Sequence, residues 1–347
     1  MVRIAIDAMG GDYAPKSIVD GCLKAMREDA DIYLFLVGDE AKVRECLSGQ
    51  QYDEQRLEVV HASEVIGNDE HPAFAIKKKR DSSIVVGERL VREGKADAFV
   101  SAGSTGAVLV GGQVLIGRLR GVERPALGVL VPNVNGFSLL IDCGANADAK
   151  PSNLKQFAQM GSIYMKEYVG IKDPKVGLLN IGTEEAKGNN LIRETHPLLD
   201  GCPGIHYIGS VEARDLALGG ADVIVADAFS GNIALKTFEG TAKAMLKLLK
   251  ETFTKSLKTK LGAALVYPDL KAKLSVFDAS NHGGAPLLGL KGLVLKAHGN
   301  STEKEFAIAI SQASAFIRKD IIGKIGEEIS ESQQQTQGQQ EAGQADD

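Results

Sequence analysis

Six short apolar runs in this 347-residue chain each stop at a loop of Gly, Asn, Asp, Ser or Thr, and this punctuation constrains the fold more than any single residue. Ile4–Ile6 leads into Asp7-Ala8-Met9-Gly10-Gly11-Asp12, Ala98–Val100 into Ser101-Ala102-Gly103-Ser104-Thr105-Gly106, and Ser138–Ile141 into Asp142-Cys143-Gly144-Ala145-Asn146. Val176–Leu179 leads into Asn180-Ile181-Gly182-Thr183-Glu184, Val223–Ala226 into Asp227-Ala228-Phe229-Ser230-Gly231-Asn232, and Leu293–Lys296 into Ala297-His298-Gly299-Asn300. Such runs read as parallel strands buried on both faces, with ligands expected outside their carboxyl ends. Helical periodicity fills the intervals at Lys16–Glu28, Glu40–Leu47, Pro72–Lys79, Ser82–Glu93, Thr105–Ile116, Ser152–Tyr168, Gly188–Leu199, Val211–Leu216, Gly231–Thr254 and Thr302–Lys319. The alternation predicts an α/β protein of three layers, with an open, mostly parallel, Rossmann-like sheet spanning residues 1–326 as one unit. From Glu327 the chain turns to Gln, Glu, Gly, Ser and Asp, which predicts a disordered tail over 327–347.

A net charge of −5 gives no basic footprint for DNA or RNA, so nucleic acid is not an expected partner. Cys22, Cys46, Cys143 and Cys202 form no C-x-x-C pair, which argues against structural zinc or a redox dithiol and suits a reducing cytoplasm. The start, Met1-Val2-Arg3-Ile4, lacks the charged and apolar regions of a signal peptide, and no run is long and apolar enough to cross a bilayer, so a cytoplasmic protein is expected. No two glycines are separated by a single residue, so the G-x-G-x-x-G dinucleotide fingerprint is absent. Gly182–Gly188 resembles a P-loop only superficially, because its Lys precedes the second Gly and no Ser or Thr follows. There is neither a G-x-S-x-G elbow nor an H-E-x-x-H pair. What remains is anion chemistry. Backbone N–H groups in a Gly-rich turn that opens a helix bind phosphate, and Ser101–Gly106 leading into Ala107–Leu115 fits that use. The alternative is a plain tight βα connection.

In combination, Ile6–Asp12, Ser101–Ala107, Asp142–Asn146, Asn180–Asn189 and Lys296–Gly299 resemble bacterial phosphate acyltransferases of the PlsX type, over Arg3 to about Lys319. At 227–232 the chain has Asp-Ala-Phe-Ser-Gly-Asn where that family commonly has Asp-Gly-Phe-Thr-Gly-Asn, a conservative departure. The resemblance implies a fold similar to the isocitrate and isopropylmalate dehydrogenase group and to phosphotransacetylases. It also implies a homodimer needing no cofactor or metal, and conversion of long-chain acyl-acyl carrier protein and inorganic phosphate to acyl phosphate for phospholipid synthesis. On its motifs, Asn146, Asn180, Gly182 and Glu184 are expected to help bind phosphate or substrate. The chemistry of the residues agrees, since phosphate is an anion near neutral pH and needs positioning more than a strong base.

Lys187 is read as neutralising phosphate or the developing oxyanion, against the alternative of a solvated ion pair with Glu184. Asn232 is read either as a helix cap or as a donor to the thioester carbonyl. His282 is a candidate donor to phosphate or to the departing thiol, or simply structural, and His298 before Gly299 has a similar claim. Gly10 and Gly11 are expected at the ligand, with Ser101, Gly103, Ser104, Thr105 and Gly106 as the phosphate cradle. Lys77-Lys78-Lys79-Arg80 suits docking of an acidic carrier protein, or is a solvated helix end. Between Lys243 and Lys260 six Lys stand with one acid, while Leu246, Leu249, Phe253, Leu257, Leu261 and Leu265 recur at helical spacing. That pattern predicts an amphipathic projection over about 243–266, with Leu257, Leu261 and Leu265 at a membrane surface, a dimer contact or both. Two other readings remain, a phosphotransacetylase-like enzyme using short acyl-coenzyme A and a membrane-surface scaffold without turnover.

Overall fold

The computed structural model describes residues 1–274 and 283–345. Strands β1 (Val2–Asp7), β2 (Ile32–Gly38), β3 (Leu57–His61), β4 (Ala98–Ser101), β5 (Ala126–Asn133), β6 (Gly136–Ile141), β7 (Lys175–Asn180), β8 (His206–Glu212), β9 (Val223–Val225), β10 (Ala285–Leu288) and β11 (Leu293–Lys296) form one sheet. Their order is β3-β2-β1-β4-β11-β10-β5-β6-β9-β7-β8. Aliphatic side chains project to both faces, so helices cover both. Ile4 and Ile6 of β1 join one core with the helices Lys16–Glu28, Pro151–Ile163, Glu303–Arg318 and the start of Ile321–Ala345. Ala5 joins the other, with Pro72–Lys78, Ser83–Arg92, Thr105–Gly111 and Ala228–Thr254. The three-layer α/β architecture is therefore as expected.

Strand sense is the feature that positions the loops. Pairing is parallel from β3 through β11 and again from β6 through β8. The pairs β11–β10, β10–β5 and β5–β6 between them are antiparallel. Three reversals invert the second group, so the carboxyl ends of β6, β9 and β7 lie at the opposite rim of the sheet from those of β1, β4 and β11. The six loops do not share one rim.

Three other expectations are corrected. Val211–Leu216 is not a helix, because His206–Glu212 is a strand beside β7 and only Asp215–Leu218 is helical. Its alternating burial is that of a half-covered edge strand. The chain past Glu327 continues the helix Ile321–Ala345, in which Ile321, Ile325 and Ile329 recur every fourth residue and are buried, and Gln333 Nε2 donates to Gly121 O at 2.9 Å. Composition alone missed that anchor. The segment expected to project is divided between the helices Ala228–Thr254 and Leu257–Leu274. The second helix has no separate apolar face: Leu257 and Val266 lie nine residues apart, on opposite sides at about 100° per residue, and both are exposed.

Candidate active site

At the first rim the loops after β1, β4 and β11 are tied together. Ser101 Oγ donates to Asp7 Oδ2 at 2.6 Å and accepts from the Gly103 N–H at 2.9 Å, while the Asp12 N–H donates to Gly299 O at 2.7 Å. A Cβ on Gly10 would lie 2.3 Å from Asp7 Oδ2 and 2.6 Å from Gly103 N, so only glycine lets these loops meet. Gly11 takes φ +104, with Gly299 O close by. Ser101 and Gly103 thus spend their polar groups inside the protein. Of the expected cradle, Ser104, Thr105 and Gly106 remain, at the first turn of Thr105–Gly111, where the N–H groups have no intrahelical partner.

Two charged residues that the sequence reading did not single out lie here. Lys296, at the end of β11, is largely buried, which pushes its ammonium down to about 8 against the opposing pull of Asp7 and Asp12. Glu88, fully buried on the Ser83–Arg92 helix, has no well-formed hydrogen bond to either carboxyl oxygen, and burial, helped by Asp7 and opposed by the nearby Gly112 N–H, raises it well above the usual carboxylate range. Burial likewise raises Asp7, opposed first by the Ser101 hydroxyl. His298 keeps an open edge to solvent, yet the packing around it lowers its imidazole, with Glu239 opposing and Lys296 and Lys236 assisting. The signal that could have found Lys296 and Glu88 is a charged residue inside an apolar run.

At the second rim, Asp142 organises the loop after β6. Its buried carboxylate accepts from the N–H groups of Leu127 (3.1 Å), Gly144 (3.0 Å), Ala145 (3.0 Å) and Asn146 (2.8 Å), and from Asn146 Nδ2 (2.7 Å). Asn146 Nδ2 also donates to Pro125 O at 2.7 Å, so that amide positions the loop. The loop meets the next helix through the Ala228 N–H, which donates to Asn146 O at 2.9 Å. Asp227, whose Oδ1 accepts from the Ser230 N–H at 2.9 Å, is the cap of Ala228–Thr254. Asn232 is therefore no cap; it lies in the second turn with its side chain exposed.

Beside it, Asn180 pins the loop after β7, donating to Lys187 O at 3.2 Å and to Ser210 Oγ at 3.0 Å. Lys187 folds over Gly182, where a Cβ would lie 2.5 Å from its Cδ. Its Nζ pairs with Glu184 Oε1 at 2.8 Å, and that bond holds the Glu184 carboxyl below its usual range. Both side chains are about half exposed, so the pair is the solvated one considered from the sequence.

The Ala228–Thr254 helix links the two rims. Asn232, Lys236 and Glu239 stand at i, i+4 and i+7 on one face, and Lys236 pairs with Glu239 at 2.9 Å. Both charges act on His298 at the first rim and on Cys143 beside Asp142 at the second. Asn232 shares that face, one turn nearer the helix start. Among the described residues Lys187 forms its ion pair with Glu184 and none with this group, and His282 lies outside them.

Elsewhere, Lys79 is committed to Glu70 and Val65 O, each at 2.7 Å, so the docking run reduces to the exposed Lys77, Lys78 and Arg80. Leu257, Leu261 and Leu265 are 77%, 64% and 84% exposed. Among the described residues, no cluster of His, Cys, Asp or Glu is placed to hold a metal ion, and no helix is long and apolar enough to cross a membrane.

The family described as "Fatty acid synthesis protein" matches residues 2–324. The chain belongs to this family. Among its relatives, one named "Phosphate acyltransferase" from Clostridium perfringens (strain SM101 / Type A) is 46% identical over 329 residues, covering 95% of this chain and 97% of its own. The enzyme class is thus that of an acyltransferase. A phosphotransacetylase from Streptococcus pyogenes has the same fold, with TM-score 0.62, 20% identity and coverage of 91% of this chain and 94% of its own. So does a branched-chain phosphotransacylase from Enterococcus faecalis V583, at TM-score 0.54, 15% identity and coverage of 91% and 98%.

Proposed function

We propose that the protein catalyses attack of inorganic phosphate on the thioester of a long-chain acyl-acyl carrier protein, releasing the carrier and giving acyl phosphate for phospholipid synthesis. A phosphate oxygen forms a bond to the carbonyl carbon, and the carbon–sulfur bond breaks with its electron pair leaving on sulfur. One observation carries the direct route: Cys143, the thiol adjoining the Lys236–Glu239 face, is buried with its S–H donated to Leu127 O at 3.2 Å, and burial pushes it above the usual thiol range, so it is withheld from attack. In this reading Ser104, Thr105 and Gly106 supply backbone donors to phosphate, with Lys296 as its countercharge. Asn232 donates to the oxyanion, a role typically worth about 3 kcal/mol. His298, neutral near pH 7 because its environment lowers it, acts as an N–H donor rather than a charged acid. Lys187 acts from the neighbouring loop once substrate displaces Glu184. The chain works as a homodimer, and the projecting helices meet a second copy, the inner membrane face or both.

Acyl-phosphate formation from purified protein tests the reading. Long-chain acyl-carrier protein should be turned over in preference to acetyl-coenzyme A, and the reverse preference would overturn the carrier assignment. Asn232→Ala should lower kcat by about 10²- to 10³-fold. Lys187→Ala should abolish turnover with the fold intact, and near-normal activity would remove Lys187 from the mechanism.

A further inference from the structure

Where the chain runs on from the Asp142–Asn146 loop to Asp148 and Lys150 lies an open, polar surface cavity of about 350 Å³. It is lined by Gln113, Arg118, Glu123, Arg124, Asp148, Lys150 and Asn153. None of its three cations takes part in an ion pair among the described residues. Of its two acids, Glu123 is already occupied, accepting from Ser152 Oγ at 2.8 Å and Asn153 Nδ2 at 2.7 Å, and Asp148 is exposed, which leaves three cations against two carboxylates. Arg118 is anchored by a hydrogen bond to Glu123 O and the Lys150 backbone N–H by Asn153 Oδ1 at 2.9 Å, while Arg118, Arg124 and Lys150 are all open to solvent. Guanidinium forks on a concave wall are the usual receptors for phosphate groups.

The volume, at the small end of ligand pockets, exceeds what a bare phosphate needs. Asn146 connects the neighbourhood of the cavity to the Asn232 helix: it binds Pro125 O, next to Arg124, with its side chain and the Ala228 N–H with its carbonyl. An elongated ligand with an anion at one end and a reacting group at the other spans those two places.

We propose that this cavity seats the phosphate of the carrier's phosphopantetheine arm, leaving the thioester end of that arm at Asn232. The assignment rests on the proposed reaction with a carrier-bound thioester. Phosphate on the arm and free phosphate share one chemistry, and the test separates them. The double variant Arg118→Ala/Arg124→Ala and, separately, Lys150→Gln are compared with the unaltered protein. The measurements are KM for acyl-carrier protein, kcat/KM for an acyl-N-acetylcysteamine thioester, which lacks the phosphate, and KM for inorganic phosphate. Calorimetry of 4′-phosphopantetheine against pantetheine adds a readout independent of turnover. The double variant should raise KM for acyl-carrier protein at least tenfold, leave the truncated thioester and inorganic phosphate unchanged, and bind 4′-phosphopantetheine no better than pantetheine.

Lys150→Gln should act in the same direction more weakly, which keeps the idea testable if the double variant misfolds. A rise in KM for inorganic phosphate alone would make the cavity the seat of the second substrate and overturn the proposal. So would unchanged 4′-phosphopantetheine binding, even with weaker carrier binding, because the arginines would then touch only the carrier's protein surface. If the unaltered protein makes no acyl phosphate, the proposed reaction fails while the calorimetry still decides the cavity.

Discussion

Glu88 and Lys296 sit at the first rim with opposite signs and opposite responses to pH. The Glu88 carboxyl is raised in the fold, so the folded state holds a proton that the unfolded chain releases above about pH 4.3. Stability from this group is complete below that pH and declines as pH rises toward the folded value. Glu88→Gln should therefore make the fall of melting temperature between pH 5 and 8 shallower, and an unchanged slope would mean that Glu88 is ionised inside the protein. Lys296 is lowered to about 8, so it is charged at neutral pH and loses its charge through that value. If it faces phosphate, KM for phosphate should climb above about pH 8, and Lys296→Met should raise KM at every pH and remove the inflection. Neither residue was singled out from the sequence, where the only signal is a charge set beside an apolar run, as in Ile84–Glu88 and Leu293–Lys296. Their meaning comes from burial. Conversely, Asp7, Gly10 and Ser101 were legible as a loop but not in their inward use, because a hydroxyl that serves a carboxylate and one that serves a ligand read alike.

At the scale of elements, helix periodicity was readable where one face is apolar: Lys16–Glu28 and Glu40–Leu47 fall where the spacing puts them. Val211–Leu216 was misread because an edge strand with one wet face carries too few residues to separate a period of 2 from 3.6. Capping was half legible, since the Asp227–Asn232 segment announces a helix start but offers two residues able to cap it. Asp227→Ala should cost about 1 kcal/mol of stability through the lost bond to the Ser230 N–H, measured by denaturant unfolding. Asn232→Ala should leave stability within about 0.5 kcal/mol while slowing turnover. Equal losses of stability would erase the distinction between a residue that builds the helix and one that uses it.

For the whole molecule, the least legible feature was strand sense. The hairpin of β5 and β6 and the antiparallel β10 are short stretches whose local sequence says strand but not direction, yet together they decide which loops are neighbours. A count of loop motifs therefore overstated convergence, and the meeting of rims is the work of the Ala228–Thr254 helix. Its far end and the helix after it keep large apolar side chains in water, which a surface or a second copy would cover. Leu257→Glu with Leu261→Glu should reduce co-sedimentation with anionic lipid vesicles several-fold; unaffected sedimentation would remove these residues from any membrane contact.

That helix holds Asn232 near its base and extends for 27 residues, about 40 Å, into the projection. A rod of this length is a pointer: whatever seats its distal end also sets the heading of the amide at its root. Anchorage outside the globule and aim within it are thus one mechanical variable.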